Sequence, residues 1–208
     1  MLNRMIRLVK TAVIAATLVF VSTASAEQTE PEVAISDLTK DVLVQIKRHR
    51  EEEIDFYTFI EVIEERLNKT IDFNFIVRGV MGGAYKGSTD DQRARFLRVF
   101  KDGMIDTYAN SFMDYDEDSV KQIPMDPSMN GRKRLQIKQV LDDGSVVLKV
   151  GYTLAKRPQG WMIINVNVNG INLGVRYRSQ FAKAYKKTPN VDDVIKGWTT
   201  DDLRFSSK

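Results

Sequence analysis

The 208-residue chain has no cysteine and a single histidine, His49. Without thiols there is no Cys nucleophile, no thiolate metal site and no disulfide, and one imidazole cannot build a multi-His metal centre. Internal repeats and low-complexity tracts are also missing. The apolar run from Thr11 to Val21 is too short for a comfortable membrane span. A chain so poor in reactive groups must be held together by packing alone. What it does have is apolar side chains at regular spacing, and the question they pose is whether all of that surface is core or part of it lines a ligand cavity.

Residues 1–26 begin with Arg4, Arg7 and Lys10, continue through the apolar run and end on Ala24-Ser25-Ala26. This is the pattern of a secretory signal peptide cleaved after Ala26, so export is the expectation. No cysteine follows the small residues, which excludes a bacterial lipoprotein anchor. Removing the segment leaves 182 residues and takes Lys plus Arg from 31 to 28, equal to the 28 Asp plus Glu. The basic excess thus sits in the discarded part and gives no warrant for a nucleic-acid partner. A chain this long buries on the order of 70% of its unfolded surface, enough for one compact domain over 27–208.

Helical spacing dominates up to about residue 115. Pro31 stands at a first helical turn, and Ile35, Leu38, Val42 and Ile46 recur every three to four residues. A second helix carries Phe56, Ile60, Ile63 and Leu67. A third, opened by Asp72, carries Phe73, Ile76, Val77 and Val80 and stops at Gly82-Gly83. The fourth bears Phe96, Phe100, Met104 and Tyr108, with capping-box spacing from Ser88 to Asp91 and from Thr89 to Gln92.

Strands take over from about residue 120. Leu135 to Gln139 alternates, Asp142-Asp143-Gly144-Ser145 is a hairpin signal, and Val146, Leu148, Val150, Tyr152 and Leu154 share one face of the returning strand. After Arg157-Pro158-Gln159-Gly160 comes an alternating strand with Met162, Ile164, Val166 and Val168. Asn169-Gly170 is a turn, after which Leu173, Tyr177, Phe181 and Tyr185 fall at helical spacing. A last helix carries Val191, Val194, Ile195 and Trp198. The expected fold is therefore α+β: a curved antiparallel sheet of about four strands packed against a multi-helix N-terminal lobe and C-terminal helices, which occupy about 120–200 together with the sheet. An apolar cavity between the layers is the architectural possibility that such a cone offers.

Other motifs are better read as structural. Gly79, Gly82, Gly83, Lys86, Gly87 and Ser88 have the residue types of a phosphate loop, but Lys precedes Gly and a helix precedes the loop, so the order is wrong. His49, among Lys47, Arg48 and Arg50, is expected to be exposed and inert. The pairs Asp90-Asp91, Asp142-Asp143, Asp192-Asp193 and Asp201-Asp202 sit where caps and turns use Asp.

From Gly160 to Phe181 the sequence resembles the toluene-tolerance family of periplasmic phospholipid-binding proteins. The pattern is Gly160-Trp161, an apolar strand through Val166, the Gly170 turn and Tyr177-Arg178-Ser179-Gln180-Phe181. The likeness extends to Asp72-Phe73 leading to Gly79, to Phe96–Tyr108 and to Val150-Gly151-Tyr152. Asn165, Asn169 and Asn172 depart from the acids and serine common at those positions, and Gly174 is unexpected inside a helix. The resemblance implies a periplasmic, monomeric, non-enzymatic carrier without a cofactor. It would hold phospholipid acyl chains and shuttle lipid between an outer-membrane lipoprotein/porin complex and an inner-membrane ABC transporter complex, maintaining outer-membrane lipid asymmetry.

On that reading the expected lining is Leu148, Val150, Tyr152, Ile164, Val166 and Val168 from the sheet, with Ile76, Val80, Phe100, Met104, Ile171 and Leu173. Arg176, Arg178 and Lys183 would meet headgroups or a partner. Two other classes remain open at this stage: a dehydratase- or isomerase-like enzyme on a cone-shaped fold, and a chaperone or interaction module for apolar protein segments.

Overall fold

The computed structural model describes residues 30–52, 54–109, 113, 115, 116 and 118–199. The signal segment 1–26, the Tyr108 side chain and the Asp201-Asp202 pair lie outside these described residues. Helices come first: α1 (Glu30–Glu51), α2 (Phe56–Thr70), α3 (Phe73–Met81), the single turn α4 (Ala84–Gly87) and α5 (Asp90–Ala109). Strands β1 (Val120–Ile123), β2 (Arg134–Asp142), β3 (Val147–Arg157), β4 (Gly160–Val168) and β5 (Ile171–Asn172) follow, then α6 (Leu173–Lys187) and α7 (Val191–Lys196).

The sheet is a five-stranded antiparallel meander in the order β1-β2-β3-β4-β5. The expected α+β architecture is present. Two short strands, β1 and β5, raise the expected strand number to five, and each is too brief to show two-residue alternation in the sequence. The last helix ends at Lys196, so Trp198 lies just beyond it.

Local chemistry explains the boundaries. Asp55 accepts from Tyr57 N and Thr58 N at the start of α2, and Asp72 accepts from Phe75 N at the start of α3. Before α5, Thr89 and Gln92 form a reciprocal capping box, with Gln92 N 3.1 Å from Thr89 Oγ1 and Thr89 N 3.0 Å from Gln92 Oε1. Ser88 is not part of it, because its hydroxyl donates to Ala84 O. Asn169 and Gly170 both adopt positive φ, 48° and 86°, as a two-residue hairpin turn requires.

His49 is half-buried rather than exposed. Its Nδ1 meets Ile54 O and its ring stacks on Phe59 at 5.0 Å, because the chain turns back sharply between α1 and α2.

Two buried clusters organise the interior. The larger joins α2, α3, α5, α6, α7 and one end of the sheet, with Phe96, Phe100, Tyr177 and Phe181 each at most 1% exposed. Their rings meet edge-on, Phe100 with Tyr177 at 5.4 Å and Phe96 with Phe181 at 5.0 Å, and Trp198 closes on Phe96 at 4.9 Å. The smaller cluster packs Ile35 of α1 against Leu135, Ile137, Leu154 and Ile163.

Ion pairs tie the helices at the periphery: Lys101 to Glu64 between α5 and α2, and Arg95 with Gln92 to Asp192 between α5 and α7. Hydrogen bonding from the Lys101 ammonium, helped by its charge, holds the Glu64 carboxyl below the ordinary range. The stabilisation is present above the unfolded pKa of about 4.3 and is lost as pH falls through the lowered folded value. Removing the pair by Glu64→Gln should cost up to about 1 kcal/mol at pH 7 and little at pH 3, as read by urea denaturation at the two pH values.

The start of α6 explains the unusual glycine and two of the unusual asparagines. Asn172 caps the helix by accepting from Val175 N, and Asn165 Oδ1 reaches across from β4 to accept from Gly174 N at 3.1 Å. A Cβ on Gly174 would stand 2.6 Å from that same oxygen. Glycine is therefore required by close approach, despite its poor helix propensity.

Gly174→Ala should destabilise the fold by about 1–3 kcal/mol, because the Asn165 amide must withdraw from its partner. Gly79→Ala, in α3 with nothing within 4 Å of the added methyl, should instead be neutral or stabilise by up to about 1 kcal/mol. Parallel urea titrations of the two variants check the contrast.

Candidate functional site

Helices α1 and α2 lie over one face of the sheet without filling the space beneath them. A half-open cavity of about 200 Å³ remains. Its helical wall is formed by Leu38, Val42, Leu43 and Ile46 of α1 and Phe59, Ile63 and Leu67 of α2; Ile71, Phe73, Met104 and Ile105 close one side. The sheet supplies Val120 from β1, Gln139 and Leu141 from β2, Leu148, Val150 and Tyr152 from β3, and Ile163, Val166 and Val168 from β4. Leu173, the first residue of α6, completes it.

The sheet face is set by register. Val150 pairs with Val168 and Tyr152 with Val166, so these four side chains share a face. Between Thr153 and Leu154 the register shifts: Thr153 opposes Asn165, whereas Leu154 opposes Ile163, leaving Ile164 as the extra residue of a bulge. The bulge reverses the parity of β4, so Ile163 and not Ile164 reaches the cavity.

Of the twelve lining residues expected from sequence, seven line the cavity: Met104, Leu148, Val150, Tyr152, Val166, Val168 and Leu173. The other five are placed elsewhere. Ile164 is buried at the bulge, and Ile171 is 41% exposed in β5. Val80 is buried in the larger core cluster, with Ile76 packed against it, and Phe100 belongs to the aromatic group around Tyr177. Alternation counted without the bulge displaces Ile164. Ile76, Val80 and Phe100 carry spacing that does not distinguish a cavity wall from a packed centre, and Ile171 falls in a two-residue strand too short for its facing to be read.

The α1 and α2 wall was not expected from sequence. Its signal, the Leu38/Val42/Ile46 and Phe59/Ile63/Leu67 stripes, is the signature of any buried helix face. Arg176, Arg178 and Lys183 sit on α6 outside the lining. Arg178 and Lys183 are exposed and Arg176 half-buried, and the Arg178 Nε stands 3.6 Å from where a Gly82 Cβ would be.

The polar part of the wall is small and uncharged. Gln139, 2% exposed, accepts at Oε1 from Tyr152 OH and Thr39 Oγ1, both at 3.1 Å, and its Nε2 is 3.0 Å from Thr39 Oγ1 and 3.4 Å from Gln122 Oε1. Gln122 Nε2 continues to Glu32 O, and Glu32 Oε1 accepts from Met125 N at 2.7 Å. A line of hydrogen bonds thus fastens α1 to the sheet across β1, β2 and β3. Burial pushes the Tyr152 phenol up, so it stays a neutral donor at ordinary pH.

Among the described residues no group of three or more His, Cys, Asp or Glu could hold a metal, and no helix is long and apolar enough to cross a membrane. The lining holds no carboxylate, imidazole or amine. It can exclude water and contact hydrocarbon, and its one titratable group, the Tyr152 phenol, is bonded to Gln139.

Fold and cavity together define an α+β domain with an apolar cavity between its sheet and its first two helices. Residues 36–200 match the model of the MlaC protein family, and the chain belongs to that family. It is 28% identical over 171 residues to the toluene tolerance protein Ttg2D of Pseudomonas putida, covering 81% of this chain and 79% of that one. Its fold matches that of a phospholipid-binding protein from Ralstonia solanacearum solved in complex with a phospholipid, with a TM-score of 0.74 at 20% identity, over 81% of this chain and 94% of the other.

Gln139→Leu leaves the Tyr152 hydroxyl and Gln122 Oε1 without their Gln139 partner in a buried wall, while Thr39 keeps its bond to Ile35 O. It should cost about 1–3 kcal/mol, and adding Tyr152→Phe should recover part of the loss. A double-mutant cycle by urea denaturation gives the coupling.

Proposed function

We propose that the protein is a periplasmic phospholipid carrier, exported by a signal peptide cleaved after Ala26. It takes acyl chains into the cavity between the sheet and α1/α2, leaves the headgroup near water and, as a monomer, moves lipid between an outer-membrane lipoprotein/porin complex and an inner-membrane ABC transporter complex. That traffic maintains outer-membrane lipid asymmetry. The single observation that carries the reading is the half-open cavity whose wall is hydrocarbon apart from one self-satisfied hydrogen-bond cluster. Membership of the MlaC family and the phospholipid bound by the Ralstonia protein of the same fold support it.

The physics favours a guest. The wall presents hydrocarbon that a guest chain would cover, worth roughly 25 cal/mol per Å² of apolar surface removed from water. On the ligand side, exposing two chains of about thirty methylenes to water costs on the order of 20 kcal/mol, at roughly 0.8 kcal/mol per methylene. An apolar cavity of about 150 Å³ accepts benzene. The present volume therefore holds part of one chain, and full loading moves α1 and α2 outward.

Binding by surface burial needs no covalent step, so the carrier is not an enzyme. The wall supports this, since its polar members Thr39, Gln139 and Tyr152 are hydrogen-bonded to one another.

Native mass spectrometry of protein purified without detergent, with lipid extraction in parallel, should show one co-purifying diacyl lipid per chain. A reproducibly empty protein that binds unfolded apolar polypeptide instead would overturn the carrier in favour of a chaperone. Val166→Trp, which fills the cavity from β4, should lower bound lipid roughly tenfold, equivalent to about 1.4 kcal/mol, while the far-UV spectrum is kept.

A further inference from the structure

Several arginines meet on and beside α3. Phe75, 40% exposed on that helix, has the Arg157 guanidinium 5.1 Å and the Arg134 guanidinium 5.9 Å from its ring centre. Half-buried Tyr85, on α4, has Arg93 at 4.5 Å and Arg78 at 5.8 Å. Arg178 lies beside Gly82, just past the C-terminal end of α3. Four of the five arginine– or lysine–ring contacts among the described residues are thus made on two aromatic rings flanking one helix.

The acids that answer this charge are few. Arg157 Nε bonds Asp72 Oδ2 at 2.9 Å, and Arg93 bonds Asp90 Oδ1 and also the carbonyls of Tyr85 and Lys86. Arg157 thus braces the N-cap of α3, and Arg93 the turn between α4 and α5. Among the described residues, Arg78, Arg134 and Arg178 have no carboxylate within ion-pair distance. Between them the helix is bare: a Cβ on Gly79, or on Gly83 just beyond, would meet nothing within 4 Å. A partner's chain can therefore approach the α3 backbone closely, with arginines on either side.

We infer that the exposed face of α3, with Arg78, Arg134, Arg178 and Phe75, is a docking surface for an acidic protein. This rests on the carrier reading and adds to it the surface by which the carrier meets a membrane-bound complex. Charge complementarity names the sign of the partner. The composition names its class: arginine and exposed aromatic rings are enriched where proteins recognise proteins and lysine is depleted, whereas attraction to a lipid surface uses lysine as readily. Guanidinium groups held over rings also lose less freedom on meeting a carboxylate. The face is separate from the cavity wall, to which none of Arg78, Arg134, Arg178 and Phe75 contributes.

The test is co-sedimentation of the purified protein with two kinds of vesicle prepared from the source envelope. Native membrane vesicles retain their proteins; liposomes made from lipids extracted from the same membranes do not. Wild type should sediment with native vesicles, less so at higher salt, and should not sediment with liposomes. The variant Arg78→Glu/Arg134→Glu should lose roughly tenfold or more of that binding while keeping its far-UV spectrum, and Arg78→Gln/Arg134→Gln should fall between.

Equal binding of wild type and variant to native vesicles overturns the inference, as does charge-dependent binding to liposomes alone, which would assign the face to lipid. Sedimentation needs no bound lipid. Mass spectrometry of the same samples therefore separates failure of the carrier reading, seen as an empty wild type, from failure of the docking surface, seen as a loaded variant that still sediments.

Discussion

Two apolar faces that cannot quite meet govern this structure. Helices α1 and α2 turn their stripes toward the sheet, but α1 is fastened at one place by packing, with Ile35 against Leu135, Ile137 and Leu154, and at another by the hydrogen bonds from Thr39 to Gln139. Amide and hydroxyl groups in such a line need partners at fixed distances, so they set a separation as well as an attachment. The space under Val42, Leu43 and Ile46 follows from where these supports stand. On the far side, the ring cluster of Phe96, Phe100, Tyr177, Phe181 and Trp198 forms a dense block that keeps α5 and α6 in place beside the opening.

How far this was legible in the sequence depended on the range of the interaction. The long helices and the β2–β4 meander rest on spacing within a dozen residues, and caps such as Asp72 and Thr89 mark their own positions. Trp198 packs on Phe96 from just past a helix end, and β5 pairs only through Val168 with Ile171 and Asn167 with Asn172. Nothing local announces either.

The cavity was legible as a possibility and blurred in its membership. Met104, Leu173 and the alternating residues of β3 were placed by periodicity. Ile163 was hidden by a one-residue bulge that no turn residue signals. Phe100 and Val80 have the same composition and spacing as cavity residues and differ only in having neighbours that fill the space. Periodicity alone carried the α+β architecture, and the structure gives reasons for the departures from the toluene-tolerance pattern. Asn165 reaches Gly174 N, Asn172 caps α6 at Val175 N, and Asn169 Oδ1 accepts from Lys149 N at 2.8 Å.

The cavity's polar members, Thr39, Gln139 and Tyr152, carry no charge, whereas guanidinium groups gather on and beside the exposed face of α3. On the proposed carrier reading, retention of cargo and recognition of a recipient answer to different features of the surrounding fluid. Dissolved ions leave the grip on hydrocarbon almost untouched while weakening the encounter. For such a carrier, a change in the salt around it alters how often the courier stops without making it drop what it holds.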